Sequence, residues 1–223
     1  MNAAVSSVRL KLLCAVSACA ALLLWRPVLG ADDAVGSATH GAQLVSICAS
    51  CHGQRGEGLA AAGFPRLAGQ AAPYLAKQLR DYAAGARENA VMDSFAKALS
   101  AQDIADVAAY YSNLNAPETR PFKTDAKAAT TGRALANLGD ARIGVQGCGN
   151  CHGPNGRGEP PTLPYLAGQH AEYITAQLEA WQQGMRHNDS GEQMAGLAKK
   201  LSAADIAAVS AWFAQQPPPA AQR

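Results

Sequence analysis

The chain writes Cys-x-x-Cys-His-Gly twice, as CASCHG at Cys48–Gly53 and as CGNCHG at Cys148–Gly153, 100 residues apart. The repetition extends beyond these motifs. FPRLAGQAAPYLAKQL (Phe64–Leu79) returns as LPYLAGQHAEYITAQL (Leu163–Leu178), and LSAQDIADVAAYY (Leu99–Tyr111) returns as LSAADIAAVSAWF (Leu201–Phe213). The offsets are 100, 99 and 102, and the blocks keep their order. A repeat of this length is too long for a solenoid unit. The chain therefore reads as a duplicated small domain, and whatever fold one half adopts must also suit the other.

That fold is all-α. Tyr173, Ile174, Gln177, Leu178 and Trp181 share a stripe at helical spacing, and Gly184 is placed to stop the helix. Ser100 with Asp103, and Ser202 with Asp205, have the spacing of capping boxes, with Asp in place of the longer Glu. They open two helices that carry Ile104, Val107 and Tyr111, and Ile206, Val209 and Phe213, on one face. No segment shows a sustained period-two pattern. The stretch Asn115–Lys127, with two prolines and mixed charge, reads as a linker. The expected organisation is a first domain over 31–116, a linker over 117–130, a second domain over 131–216 and a tail over 217–223.

Residues 1–30 read as a secretory signal. Arg9 and Lys11 precede an apolar run from Leu12 to Leu24, too short for a bilayer span of about 20 residues. VLGAD at Val28–Asp32 offers small residues for cleavage near Gly30. The alternatives are an uncleaved anchor and lipidation at Cys19, at the end of VSAC; either would give the protein a membrane-surface association. The whole chain has 19 basic and 17 acidic side chains, but three of the basic ones (Arg9, Lys11, Arg26) lie in the signal. The mature chain is therefore close to neutral, which excludes a nucleic-acid footprint.

The mature cysteines are Cys48, Cys51, Cys148 and Cys151. Four cysteines in an exported chain would ordinarily imply two disulfides, but their grouping argues for haem. On a helical turn, residues three apart share a face, so Cys48 and Cys51 can both reach the vinyl groups along one porphyrin edge. His52 then offers its imidazole to the iron, and Cys148, Cys151 and His152 repeat the arrangement. The motif is a signal for covalent c-type haem attachment. The expected cofactors are thus two covalently bound haem c groups, each with its iron. A large apolar cofactor would also complete the small core of a domain of about 85 residues. Zinc would need a fourth ligand and a better-spaced Cys–His pair. A redox dithiol would need a preceding strand and a mixed fold. Disulfides between the copies are the remaining alternative.

The repeat selects the sixth ligand. Met92 lies seven residues before Leu99, and Met194 lies seven before Leu201, each in a polar segment that reads as a loop leading into the last helix. Both fall about 40 residues after their histidine, where a chain wrapped round a haem would return to the opposite face. Met185 falls opposite Ala86 and has no counterpart, which makes it a packing residue. His187 is the alternative to Met194. His170 stands opposite Ala71 and is not a paired functional position, and His40 reads as a solvated helix-start residue. Thioether ligation favours ferrous iron and leaves no open coordination site. It suits electron carrying, and it argues against a dihaem peroxidase, which needs a displaceable ligand.

These motifs together resemble the dihaem cytochromes c4, exported proteins built from two class I cytochrome c domains. The resemblance rests on both Cys-x-x-Cys-His-Gly motifs, both P-x-L-A-G-Q blocks, the returning methionines and the LSA-x-DI helices. It implies a periplasmic electron carrier with no catalytic residues, working between a quinol-oxidising complex and a terminal oxidase. The alternative is a dihaem electron-accepting subunit of a periplasmic dehydrogenase. It also implies that the backbone carbonyls of Pro65 and Pro164 orient the axial imidazoles, and that the two domains stack across a pseudo-twofold. One departure stands out. Counted from the GAR/GMR match, the segment before Met194 is three residues longer than that before Met92.

Overall fold

A computed structural model describes residues 35–117 and 125–221. The expected signal over 1–30, residues 118–124 of the linker and the last two residues of the tail lie outside the described residues. The first half comprises α1 (Ala38–Leu44), α2 (Ser46–His52), α3 (Ala72–Ala84), α4 (Ala90–Lys97) and α5 (Ala101–Ser112). The second half repeats this order with α6 (Ala126–Asn137), α7 (Gly149–His152), α8 (Ala171–Gln182), α9 (Gln193–Ala198) and α10 (Ala203–Ala214). Between α6 and α7 it inserts a short antiparallel hairpin, β1 (Gly139–Asp140) and β2 (Val145–Gln146).

Helix ends follow from local chemistry. Both capping boxes form: Ser100 accepts from Asp103 N while the Asp103 carboxylate accepts from Ser100 N, and Ser202 and Asp205 do the same. Ser37 caps α1 and Asp125 caps α6 through their side-chain oxygens. Gly184 lies just beyond α8 with φ 72°, a left-handed conformation that a glycine adopts without steric cost.

In each half the N-terminal helix crosses the C-terminal helix at a glycine. A Cβ on Gly41 would lie 2.1 Å from Asp106 O, and one on Gly132 would lie 2.2 Å from Ala208 O. Only a residue without a side chain allows α1 against α5, and α6 against α10, at this spacing. The face of α5 expected to be apolar is buried: Ile104, Val107 and Tyr111 pack with Val45 and Leu75. On α10, Ile206, Val209 and Phe213 pack with Leu135, Ile174, Leu178 and Trp181. Among the described residues no helix is long and apolar enough to cross a membrane.

The structure departs from the sequence reading in four places. The stripe of α8 divides: Ile174, Leu178 and Trp181 enter the core, whereas Tyr173 Oη and Gln177 Oε1 turn to the other half and accept from Arg87 at 2.9 and 2.6 Å. α6 begins at Ala126, inside the stretch read as linker, because Asp125 supplies its cap. The hairpin accounts for extra chain in the second copy, where Cys148 lies 16 positions after Gly132, whereas Cys48 lies seven positions after Gly41. Met92 and Met194 lie in α4 and α9 rather than in loops.

Candidate haem-binding sites

α2 ends on Cys48, Cys51 and His52, and α7, with Cys148 as its N-cap, ends on His152. Gly53 and Gly153, at φ 80° and 71°, turn the chain immediately afterwards. Both histidines are buried at 7% exposure. His52 Nδ1–H donates to Pro65 O at 3.0 Å, and His152 Nδ1–H donates to Pro164 O at 2.8 Å. With Nδ1 carrying the proton, Nε2 keeps its lone pair as a metal donor. Burial pushes the pKa of both imidazoles below the ordinary value, and the proline carbonyls offset this only in part. Each ring is thus held neutral, as a metal ligand must be.

The four cysteines are unpaired. Burial raises the Cys48 thiol pKa and pushes that of Cys148 up to about 11. This is the opposite of the low-pKa thiolate that a redox dithiol needs. Zinc fits no better. Among the described residues the one group of three His, Cys, Asp or Glu ligand atoms within 4.8 Å of one another is His40, Asp103 and Asp106, so neither Cys-x-x-Cys-His converges on a point. The donor set in each half is instead two thiols one helical turn apart and a neutral imidazole with Nε2 bare. This set fits a covalently attached haem with an axial histidine.

The two candidate methionines share a local device. Asn89 Oδ1 accepts from Val91 N and Met92 N at 3.1 and 3.0 Å. Asp189 Oδ2 accepts from Met194 N and Ala195 N at 2.7 and 3.1 Å. In both halves a side-chain oxygen thus binds the methionine's own amide in the first turn of a short helix. The three extra residues before Met194 are taken up by a 3-10 turn over Ser190–Glu192, in which Gly191 and Glu192 have positive φ. Met92 and Met194 are both half-buried, and Met194 packs on the second core. Met185 is 61% exposed, and His187 is exposed.

The other histidines have structural roles. His170 Nε2–H donates to Glu57 O of the other half at 2.9 Å. His40 is exposed in the first turn of α1, as expected, and its Nδ1 also lies 2.5 Å from the buried carboxylate of Asp106 on α5. Sequence reasoning passed over Gln70, Gln169, Arg87 and Arg186, all of them buried. Their signal was their recurrence, in LAGQ and in GAR/GMR.

Comparison with known proteins agrees with this geometry. The family model for cytochrome c matches residues 38–115 and again 130–217. The thiosulfate dehydrogenase electron acceptor of Thiomonas intermedia (strain K12) is 46% identical over 171 residues, 76% of this chain and 78% of that protein. Cytochrome c4 of Azotobacter vinelandii is 37% identical over 203 residues, 86% of this chain and 95% of that protein. The crystal structure of reduced recombinant cytochrome c4 from Pseudomonas stutzeri superposes with a TM-score of 0.76 at 37% identity, covering 82% of this chain and 100% of that one. With a cytochrome c domain in each half, and a Cys-x-x-Cys-His motif in each domain, the chain carries two covalently bound haem c groups and is an electron carrier rather than an enzyme. It belongs to the cytochrome c family and, within it, to the dihaem cytochromes c4.

Proposed function

We propose that the protein is a periplasmic shuttle that takes electrons from a quinol-oxidising complex and delivers them to a terminal oxidase. Cys48 and Cys51 form the thioethers of the first haem, and His52 and Met92 are its axial ligands. Cys148 and Cys151 attach the second haem, and His152 and Met194 bind its iron. The domains run over 31–116 and, with all of α6 included, 126–216, joined by a linker that ends at the Asp125 cap, after removal of the signal 1–30. The tail is 217–223.

The observation that carries this reading is the paired Nδ1–H to proline carbonyl bond, made by His52 in one half and by His152 in the other. It presents an oriented, neutral Nε2 twice in one chain. Haem c supplies the one-electron exchange between ferric and ferrous iron. The protein's part is to hold the ring, fix the imidazole and keep the sixth position closed. A fixed and closed coordination shell changes little between oxidation states, which favours transfer over turnover.

Relatives named as thiosulfate dehydrogenase electron acceptors, 46% and 41% identical, favour a second reading, in which the donor is a thiosulfate dehydrogenase. Stopped-flow reduction of the oxidised holoprotein separates the two. Rapid reduction by a purified quinol-oxidising complex, followed by oxidation by a terminal oxidase, supports the shuttle. Reduction by thiosulfate dehydrogenase with thiosulfate, and none by the quinol-oxidising complex, supports the second reading. Mass spectrometry of the denatured chain tests the attachment sites: two haem masses are expected, and one is expected after Cys148→Ser with Cys151→Ser.

A further inference from the structure

The two glutamines of the repeated LAGQ block reach across the interface, each to the peptide that follows the other half's key proline. Gln169 Oε1 accepts from Arg66 N at 2.9 Å, and Gln169 Nε2 donates to Arg66 O at 2.9 Å. Gln70 Oε1 accepts from Tyr165 N at 3.1 Å, and Gln70 Nε2 donates to Tyr165 O at 3.2 Å. Both glutamines are buried, at 4% and 5% exposure. Each Oε1 also accepts from the next amide of its own chain segment, Ala71 N or His170 N. With backbone amides pointing at one end and a carbonyl at the other, the orientation of each side-chain amide is determined.

The Pro65–Arg66 peptide is one rigid plane. Its oxygen accepts from His52 Nδ1–H, and its N–H donates to Gln169 Oε1. The Pro164–Tyr165 peptide does the same between His152 and Gln70. Hydrogen bonds in such a chain polarise one another: a peptide whose N–H is donating has a more electron-rich carbonyl, and so a stronger acceptor. The acceptor strength at a histidine's far nitrogen sets that ligand's basicity and orientation.

We infer that Gln70 and Gln169 are positioning residues for the axial histidines of the opposite domain: Gln169 acts through the 65–66 peptide on His52, and Gln70 acts through the 164–165 peptide on His152. Each haem is then tuned from across the interface, and docking of the two domains is part of what sets both potentials. This rests on the assignment of His52 and His152 as iron ligands.

The test uses the full dihaem protein, with each haem's potential followed separately and its ferric NMR signals assigned through contacts with its own Cys-x-x-Cys-His residues. Gln169→Met keeps the side chain's length and removes both hydrogen bonds to Arg66. It should raise the potential of the first-domain haem and move the His52 ring signals, leaving the second haem in place. Gln70→Met should do the converse. Gln169→Glu keeps an acceptor on Arg66 N and makes it anionic, so it should shift the same first-domain haem downward. Should a methionine variant fail to fold, Gln169→Glu and its counterpart Gln70→Glu, which should shift the second-domain haem downward, carry the test alone. A response in the glutamine's own domain, equal shifts at both haems, or no shift in a folded variant would overturn the relay. The unsubstituted protein provides the separate control: no histidine signal at one of the irons would remove the ligand assignment itself, whereas signals at both with a same-side response removes only the relay.

Discussion

Arg87 and Arg186 pair across the interface, and their guanidinium groups share the same two acceptors. Their backbones form an isolated antiparallel bridge. Gln78 Oε1 accepts from Arg87 at 2.8 Å and from Arg186 at 3.2 Å, and Gln177 Oε1 accepts from them at 2.6 and 2.8 Å. Each cation also lies over an aromatic face, Arg87 over Tyr82 at 4.7 Å and Arg186 over Trp181 at 4.0 Å. Both side chains are buried, at 5% and 6% exposure. The two halves are therefore joined by a polar seam in which each charge is satisfied jointly by both domains.

Removing one arginine leaves shared acceptors short of a donor in a buried place. Arg87→Met should lower stability by about 1–3 kcal/mol in chemical denaturation of the holoprotein. Arg186→Met should act similarly. Because each shared acceptor still receives from the remaining arginine in a single variant and from neither arginine in the double variant, the double variant should lose clearly more than the two single losses combined. Additive losses would show that the arginines act independently.

The crossing glycines make a second prediction. Gly41→Ala and Gly132→Ala each place a methyl group into a backbone oxygen of the opposing helix, Asp106 O or Ala208 O. Backbone at both sides of the contact cannot rotate away as a side chain could. Each substitution should cost at least the 1–3 kcal/mol typical of overpacking, roughly, and each should act on its own domain. Unfolding followed through haem absorbance in each half would check this, and unchanged midpoints would count against a requirement for close helix crossing.

These contacts show where sequence reading ends. α5 and α10 were legible because both signals are local: a capping box at each start and an apolar stripe along each helix. The haem motifs were legible because attachment chemistry fixes residue type and spacing within a single turn. The interface was not. Tyr173 and Gln177 lie on the same helical arc as Ile174 and Leu178, and periodicity does not distinguish a face that meets the core from one that meets another domain. Gln70 and Gln169 were visible as repeated residues, but a repeat does not say that each copy binds the other's backbone. β1 and β2, at two residues each, are too short to alternate. The start of the helix that carries Met92 depends on one side-chain oxygen, from Asn89, in a segment whose polar composition reads as loop.

Asp106 gives the contact of α1 with α5 a titrating carboxylate that has no counterpart between α6 and α10. Its carboxylate accepts from Ser37 N at 2.6 Å and from Gln102 Nε2 at 2.9 Å, and it meets His40 Nδ1. The bond from Ser37 N, followed by that from His40, holds its pKa below the ordinary carboxylate value. A carboxyl group with a lowered folded pKa stabilises the fold above its unfolded value, about 3.9. That contribution falls away as the pH drops through the lower folded value. The corresponding residue of the second half is Ala208. Acidification below about pH 4 should therefore loosen α1 from α5 before α6 leaves α10. Hydrogen exchange at the two helix pairs would detect it, and Asp106→Asn should abolish the difference between the halves; simultaneous loosening in the unsubstituted protein would refute it.

The assignment of Met92 and Met194 can be tested through their shared backbone device. Asn89 and Asp189 each fix the amide of a methionine at the first turn of a short helix, so the thioether is offered from a defined backbone position. The ferric holoprotein should show the long-wavelength charge-transfer band of iron–methionine ligation, with both haems contributing. Met92→His should remove about half of the band and lower the potential of the first-domain haem, because a second nitrogen ligand favours ferric iron relative to a thioether. Asn89→Ala should remove the cap at a cost of about 1 kcal/mol and weaken the first haem's share of the band without changing the second's. Met185 is exposed and outside this device, so Met185→Leu should leave both the band and the potentials unchanged. Loss of the band in Met185→Leu, or its full retention in Met92→His, would move the sixth ligand elsewhere.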